Sequence, residues 1–402
     1  MDFSKEQGDA VSRNVGRDVG QELGRDTGLL GKPEHVAVER GIAEFRSGRP
    51  VVIVRGSAAA LALPVDGMTD ARLAAFRRCA AVEPHLVITE RRAQALGLPG
   101  TDPIGLTVSG DNAAAIVALA ADARVERGLE VVEAGPVANA AIELAKLAQR
   151  MPALLVADAA KAEPCDPALV TVAADAITRF RRTAIESLAV AAEADVPLNG
   201  GVPARFVIFR DAIGGSSVAV IVGSPDLREP VPLRLHSACL TGDVFGSRRC
   251  DCGDQLRLAL RRLEEQGGGV ILYLEQEGRG LGLANKMRAY QLQDAGLDTI
   301  DANSALGFDD DERDYGVAVR MLQILGVKRV KLLTNNPAKL DGLTQAGIEV
   351  SGRIPLHGPV NSDNRRYLTA KATRAGHKLD HLLASLAEPA ETSEAPIGDR
   401  TP

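Results

Sequence analysis

Short apolar runs recur along the chain and alternate with longer amphipathic stretches. In the first half, Val51-Val52-Ile53-Val54, His85-Leu86-Val87-Ile88 and Ala153-Leu154-Leu155-Val156 have the length and continuity of buried strands. Alanine-rich stretches over 112–122 and 138–149 suit helices between them. In the second half, Leu256, Ala259, Leu260 and Leu263 form one helical stripe, stopped by the glycines at 267–269. Val317, Met321, Leu322 and Leu325 form another, stopped by Gly326. Val270-Ile271-Leu272-Tyr273-Leu274 reads as a strand running into Glu277-Gly278-Arg279-Gly280-Leu281-Gly282. A strand over 330–333 runs into Thr334-Asn335-Asn336-Pro337, where Asn336 suits a helix N-cap and Pro337 the first helical position. This alternation predicts an α/β architecture of mixed sheets with packed helices.

The chain has 402 residues, enough for two domains at about 150 residues each. Residues 1–33 are polar and Gly-rich, with Gly16-Arg17-Asp18 echoed at Gly24-Arg25-Asp26, and read as a mobile arm. The first domain is expected over 34–190 and the second over 202–383. A stretch at 191–201, with Pro197, Asn199, Gly200 and Gly201, reads as the joint, and 384–402 as a disordered tail.

Charge and composition then remove whole classes of function. The net charge is -6, aromatic residues make up 3% and tryptophan is absent. A nucleic-acid binder would show a basic excess or stacking aromatics, so none is expected as a partner. No apolar run is long enough to span a bilayer, and Met1-Asp2-Phe3-Ser4-Lys5-Glu6 is unlike a signal peptide. The expectation is a soluble cytoplasmic protein that binds no membrane.

Of five cysteines, Cys79 and Cys165 stand alone and read as buried thiols. Cys239, Cys250 and Cys252 cluster with the spacing C-x10-C-x-C, which points to a metal or to catalysis. Three thiolates without a fourth nearby suit a zinc ion that keeps an open position and activates a bound water. His236 could instead close the site as a Cys3His zinc, or the thiols could stay unligated; spacing alone leaves these open.

The loop at 277–282 follows a strand and precedes a helix carrying Lys286 and Arg288, a setting in which backbone N–H groups approach an anion. A second such site is Thr334-Asn335-Asn336-Pro337 with Lys339. Together with Arg234 and Arg313 they suggest a polyphosphate, although a capped helix beside a solvated cation explains each one singly. In Asp311-Glu312-Arg313-Asp314, Glu312 and Asp314 suit the positive end of a following helix. Asp311 and Arg313 can cooperate only from loop backbone ahead of it.

These residues are distinctive together. Leu235-His236-Ser237-Ala238-Cys239-Leu240-Thr241-Gly242-Asp243, Arg249-Cys250-Asp251-Cys252-Gly253, Gln276-Glu277-Gly278-Arg279-Gly280-Leu281-Gly282-Leu283 and Leu333-Thr334-Asn335-Asn336-Pro337 resemble GTP cyclohydrolase II of riboflavin biosynthesis. The resemblance runs from about Val202 to Lys378. It implies opening of the GTP imidazole ring with release of formate and pyrophosphate. It implies zinc on Cys239, Cys250 and Cys252, magnesium with the triphosphate, and a homodimer. By position Arg234, Leu235, His236, Ser237, Ala238, Gln255, Glu277, Gly278, Arg279, Thr299, Thr334 and Lys339 would line the GTP site. Asp311 matches the family's proton acceptor, Arg313 its nucleophile toward the α-phosphorus, and Tyr290 a tyrosine near the ring chemistry. An arginine is a poor nucleophile at its ordinary pKa, so Arg313 also suits a clamp on developing charge. The chain departs from the family at Ala238, where a glutamate is usual. The alternative is therefore a slow or non-catalytic GTP-binding paralogue with a regulatory or scaffold role.

The first domain is similar to 3,4-dihydroxy-2-butanone 4-phosphate synthase over Gly41-Ile42-Ala43-Glu44-Phe45-Arg46-Ser47-Gly48-Arg49-Pro50-Val51-Val52, Glu90-Arg91-Arg92-Ala93-Gln94-Ala95-Leu96-Gly97-Leu98 and Arg179-Phe180-Arg181-Arg182. That family follows its first strand with acidic residues for magnesium. Here Arg55-Gly56-Ser57-Ala58-Ala59-Ala60-Leu61 follows, with no carboxylate until Asp66. Val137-Ala138-Asn139-Ala140 replaces a His-Thr-Glu ligand motif. Alanines supply no oxygen ligand, so this domain is expected to be inactive.

Overall fold

The alternation Val231-Pro232-Leu233-Arg234-Leu235-His236-Ser237 forms an inner strand of the second of two seven-stranded sheets. The computed structural model describes residues 31–80, 82–125, 128–159, 169–212, 214–374, 376 and 378–379. Most of the expected N-terminal arm, the whole expected tail and Cys165 lie outside them. The chain divides into two units whose main break lies between Thr183 and Ala184, with Gln94–Leu98 and Ala121–Val125 also assigned to the second. Among the described residues no helix is long and apolar enough to cross a membrane.

The first unit runs α1 (Pro33–Arg46), β1 (Val51–Arg55), β2 (Ala58–Pro64), α2 (Asp70–Ala80), β3 (His85–Ile88), α3 (Glu90–Ala95) and β4 (Ile104–Thr107). It continues α4 (Ala113–Ala121), β5 (Val131–Val132), α5 (Ala138–Leu147), β6 (Ala153–Asp158), β7 (Thr171–Ala173) and α6 (Ala174–Glu186), the last crossing into the second unit. The strand order is β5-β4-β3-β6-β2-β1-β7, antiparallel except for β1 beside β7. The three apolar runs read from the sequence are strands β1, β3 and β6. Cys79 is only half-buried. Helix α2 buries Leu73, Phe76 and Ala80, and Cys79 sits off that stripe.

The second unit runs β8 (Ala189–Asp195), β9 (Ala204–Arg210), β10 (Ser216–Gly223), β11 (Val231–Ser237), α7 (Leu240–Asp243), α8 (Cys252–Glu265) and β12 (Gly268–Leu274). After one turn of 3-10 helix at Glu277–Gly280 come α9 (Leu283–Asp294), α10 (Thr299–Ala305), α11 (Gly316–Ile324) and β13 (Arg329–Leu333). Helix α12 (Pro337–Gln345), β14 (Glu349–Ile354) and α13 (Arg365–Thr373) end it. The order is β14-β13-β11-β12-β10-β9-β8, with β12, β11, β13 and β14 mutually parallel. One face of the sheet packs Leu233, Leu235, Leu272 and Leu332 against Met321 and Leu322 of α11. The other packs Ile271 and Leu333 with Ala259 and Leu263 of α8. Both sequence-derived stripes thus face the sheet.

Two boundaries differ from the sequence reading. The expected joint at 191–201 begins inside β8, which pairs with β9, and Val196 N–H donates to Ala204 O at 2.8 Å as the hairpin closes. Strand β8 is an alanine-rich edge strand exposed along its length, so no buried face marked it, and Gly200 and Gly201 belong to its hairpin turn. Gly267, left-handed at φ 80°, follows the end of α8 as expected, whereas Gly268 and Gly269 already open β12. A Cβ on Gly269 would come within 2.6 Å of Pro232 O and 2.5 Å of Leu263 Cδ2, so glycine permits the strand–helix approach.

Candidate active site

The carboxyl ends of β11, β12 and β13 point the same way, and the chain leaving each end builds one cavity. Period-two alternation decides which β11 side chains enter it. Leu233 and Leu235 face the core, whereas Arg234 and His236 line the cavity with Ser237 and Ala238. Leu235 is therefore not a lining residue. Its carbonyl instead accepts from Lys339 Nζ at 2.8 Å.

Beyond β11, Cys239 and the turn into α8 bring three thiols together. The sulfur atoms of Cys239, Cys250 and Cys252 lie within 4.8 Å of one another, the one such metal-capable group among the described residues. Gly242 makes the cluster possible: a Cβ there would sit 2.9 Å from Cys250 Sγ and 3.1 Å from Cys239 Sγ. The surroundings favour a thiolate at Cys239, through hydrogen bonds from Cys250 and Cys252 and the charge of Lys286. His236, the candidate fourth ligand, is outside this group. Its Nε2 lies 3.1 Å from both Asp243 carboxylate oxygens, and its ring stacks on Tyr273. Burial lowers its pKa. Asp243 also accepts from Tyr273 Oη at 2.9 Å and from the Cys239 N–H at 3.0 Å, so it holds both the first thiol's backbone and the histidine.

Beneath the thiols runs a buried polar chain. Arg234 donates to Leu333 O at 3.0 Å and to Gln255 Oε1, and Gln255 Nε2 donates to Asp251. Burial pushes the Arg234 pKa down to about 10. Lys371 of α13 closes the chain on Asp251 at 2.9 Å, and its ammonium lies 4.1 Å above the Tyr367 ring.

The loop after β12 carries Glu277, Gly278 and Arg279 into the cavity. Gly278 and Arg279 are left-handed, at φ 65° and 64°. That turn lets Arg279 O accept from Glu312 N–H at 3.1 Å while its guanidinium donates to Asp310 O at 3.2 Å. The loop holding Asp311 and Arg313 is thereby docked beside it. As expected, these two residues precede the helix in loop backbone. Arg313 grips Asp311 through Nε and Nη2 at 2.7 and 2.5 Å. Arg313 lines the cavity, and Asp311 holds it without being among the lining residues. Asp314 meets the start of α11 as anticipated, accepting from Gly316 N–H at 2.7 Å. Glu312 instead accepts from Asp309 N–H at 2.9 Å.

After β13, Asn336 caps α12 through Ala338 N–H and Pro337 follows, as the sequence indicated. Thr334 and Lys339 line the cavity with Thr299 of α10 and Gln255. Lys339 is buried, and that burial followed by repulsion from Arg234, Arg313 and Lys371 depresses its pKa well below that of a free lysine. Such crowding of cations is what an anionic ligand would relieve. Tyr290 lines the cavity beside the thiols, with the Arg249 guanidinium 4.4 Å from its ring centroid, and burial raises its pKa.

Asp243, Tyr367 and Lys371 were not singled out as site residues from sequence, and Lys286 only as a cation beside the anion loop. Tyr367 and Lys371 share one helix face at i and i+4, a pairing too common to signal a site. Only the return of α13 onto the loop of Asp251 reveals them.

The family model described as GTP cyclohydrolase II matches residues 189–355, which begins with β8. The chain is 39% identical over 381 residues to "GTP cyclohydrolase-2" of Xylella fastidiosa (strain Temecula1 / ATCC 700964), covering 92% of this chain and 94% of that one. It is 41% identical over 360 residues to "GTP cyclohydrolase-2" of Azospirillum brasilense, covering 85% and 93%. It is also 45% identical over 204 residues to "Riboflavin biosynthesis protein RibBA" of Endomicrobium trichonymphae, covering 50% of each.

Proposed function

The chain belongs to the GTP cyclohydrolase II family and is a hydrolase of that type, and from this premise we propose that it opens the imidazole ring of GTP in the cavity of the second unit. The products are formate, pyrophosphate and 2,5-diamino-6-hydroxy-4-(5-phosphoribosylamino)pyrimidine, the entry to riboflavin. The observation that carries this reading is a three-thiol cluster opening onto the same cavity as Arg234, Arg279, Arg313 and Lys339.

Cys239, Cys250 and Cys252 hold zinc, which when bound supplies a Lewis acid that activates water. The residues fit it: the sulfurs are mutually close, Gly242 clears the space around them, and His236 lies outside the group with its Nε2 on Asp243. Arg234, Arg279, Thr334 and Lys339 bind the triphosphate, which magnesium accompanies. Ser237, Ala238, Gln255, Glu277, Gly278 and Thr299 complete the nucleotide wall with His236. The buried His236 Nδ1 and Ser237 Oγ have no partner among the described residues, which leaves them for a ligand. Asp311 orients Arg313, whose guanidinium stabilises charge at the α-phosphorus as pyrophosphate leaves. Tyr290 keeps its phenol proton and donates toward the opening ring. The enzyme acts in the cytoplasm as a homodimer, as the family resemblance implies.

The first unit is a synthase-like domain without its chemistry. Asp66, the first carboxylate after β1, is 3% exposed and paired with Arg150 at 3.2 Å. Ala138 and Ala140 are packed inside α5.

Zinc content measured beside GTP turnover, followed as formate release and the product's ultraviolet spectrum, tests this reading with Cys250→Ser as control. One zinc per chain, and formate release lost in the variant, is the expected result. Zinc and GTP bound without formate would make the chain a GTP-binding paralogue instead.

A further inference from the structure

Lys286 sits on the helix that follows the Gly-rich loop, where a cation would be expected to meet phosphate. Its ammonium turns the other way. Nζ lies 3.1 Å from Cys239 Sγ, 3.0 Å from Thr241 Oγ1 and 2.7 Å from Glu277 Oε1. An ammonium has three N–H donors, and each here has its acceptor, so none is left for a phosphate.

The arrangement is braced from both sides. Glu277 uses its second oxygen to accept from Leu240 N–H at 2.7 Å, which anchors the lysine's partner to the residue after Cys239. The Lys286 and Glu277 side chains are 10% and 14% exposed, so water screens the contact poorly. Cys250 and Cys252 have no lysine or arginine at hydrogen-bond distance among the described residues. One thiol of the three is thus singled out.

A dication bound by three thiolates carries a net negative charge, and that charge weakens it as a Lewis acid. A charge-assisted N–H···S hydrogen bond draws electron density from the sulfur and offsets part of this loss. We propose that Lys286 is a positioning residue for the metal rather than for GTP, acting through the Cys239 thiolate to keep the ion electrophilic. This rests on the metal reading given above. Glu277 then serves the metal loop through Lys286, beyond any contact it makes with the nucleotide.

The test replaces the metal with Co2+ in the full chain and compares the unsubstituted protein with Lys286→Met and Lys286→Arg. The expected result is a cobalt–thiolate charge-transfer band that moves to longer wavelength in Lys286→Met, because the sulfur lone pair loses its donor. Lys286→Arg should restore most of the shift. With zinc, kcat in Lys286→Met should fall by about 10–100-fold, the usual cost of removing a partner of a metal ligand, with KM for GTP little changed. Should the methionine variant fail to fold, Lys286→Gln, which keeps a neutral donor, should show a smaller shift in the same direction. An unmoved band, or a rise in KM alone, overturns the proposal and leaves the metal reading intact. If the unsubstituted chain shows no thiolate band, the metal reading falls and this proposal with it.

Discussion

Lys371 donates to Asp251 at 2.9 Å across 120 positions of chain, and the two side chains are only 9% and 3% exposed. Asp251 lies between two of the three metal-capable cysteines, so this one ion pair ties the helix α13 to the thiol cluster. Through Gln255 it continues to Arg234 on β11. The loop of the thiol cluster and the cationic wall of the cavity therefore share a buried support.

Removing one partner of a buried pair strands the other charge, at a cost of about 3–5 kcal/mol. Asp251→Asn and Lys371→Met should each lower unfolding stability by that order in a urea titration. The double variant should lose clearly less than the sum of the two. Additive losses would show that the pair is not coupled.

Arg313 should act without bonding to substrate. Burial works against its charge, but the hydrogen bonds to Asp311 more than compensate and raise its pKa above that of a free arginine. A protonated guanidinium has no lone pair for phosphorus. Rapid quench with α-labelled GTP should give no protein-bound label. Arg313→Lys, which keeps charge but loses the fork, should drop kcat by about 10²–10³-fold, as for a lost transition-state donor. Label on the protein during turnover would reinstate covalent catalysis.

Local chemistry explains what the sequence could show of this site. The three cysteines, the Asn336–Pro337 cap and the Asp311–Arg313 loop are short-range features, and each is found where its spacing placed it. Strand runs such as His85-Leu86-Val87-Ile88 were legible because both faces are buried. Strand β8 was not, since an exposed edge strand of alanines carries no burial pattern. The Leu235 side chain turns to the core while its neighbours Arg234 and His236 line the cavity, because a motif names consecutive residues and a strand sends alternate ones to opposite faces. Lys371 and Lys286 act on residues 120 and 47 positions away, and no local pattern encodes such pairings.

The first unit carries its own pH signature. His85 on β3 is half-buried, with Nε2 3.5 Å from Ala134 O, and burial lowers its pKa below the ordinary value of 6.5. As pH falls, the unfolded chain takes the proton first. The stability contributed by neutral His85 is therefore complete above about pH 6.5 and lost below it, down through the folded-state pKa. The melting temperature should fall between about pH 7 and about pH 5, and His85→Gln should reduce that slope. Equal slopes in both proteins would assign the effect to other groups.

Ala238 tests whether the departure from the family pattern governs rate. Its N–H donates to Leu274 O at 2.8 Å, which fixes the backbone, and the residue lines the cavity immediately before Cys239. A longer side chain at this lining position leaves that backbone hydrogen bond in place. It supplies no sulfur, so metal content should stay at one zinc per chain in Ala238→Glu. A carboxylate beside the metal loop can orient water or substrate, and such outer contacts are commonly worth about 10–100-fold. Ala238→Glu should accordingly raise kcat by about tenfold, the lower end of that range. A fall in kcat with zinc retained would mean that this cavity is built around the alanine and that the glutamate blocks it. Loss of zinc would mean that the backbone turn into Cys239, rather than the side chain, is what the alanine preserves.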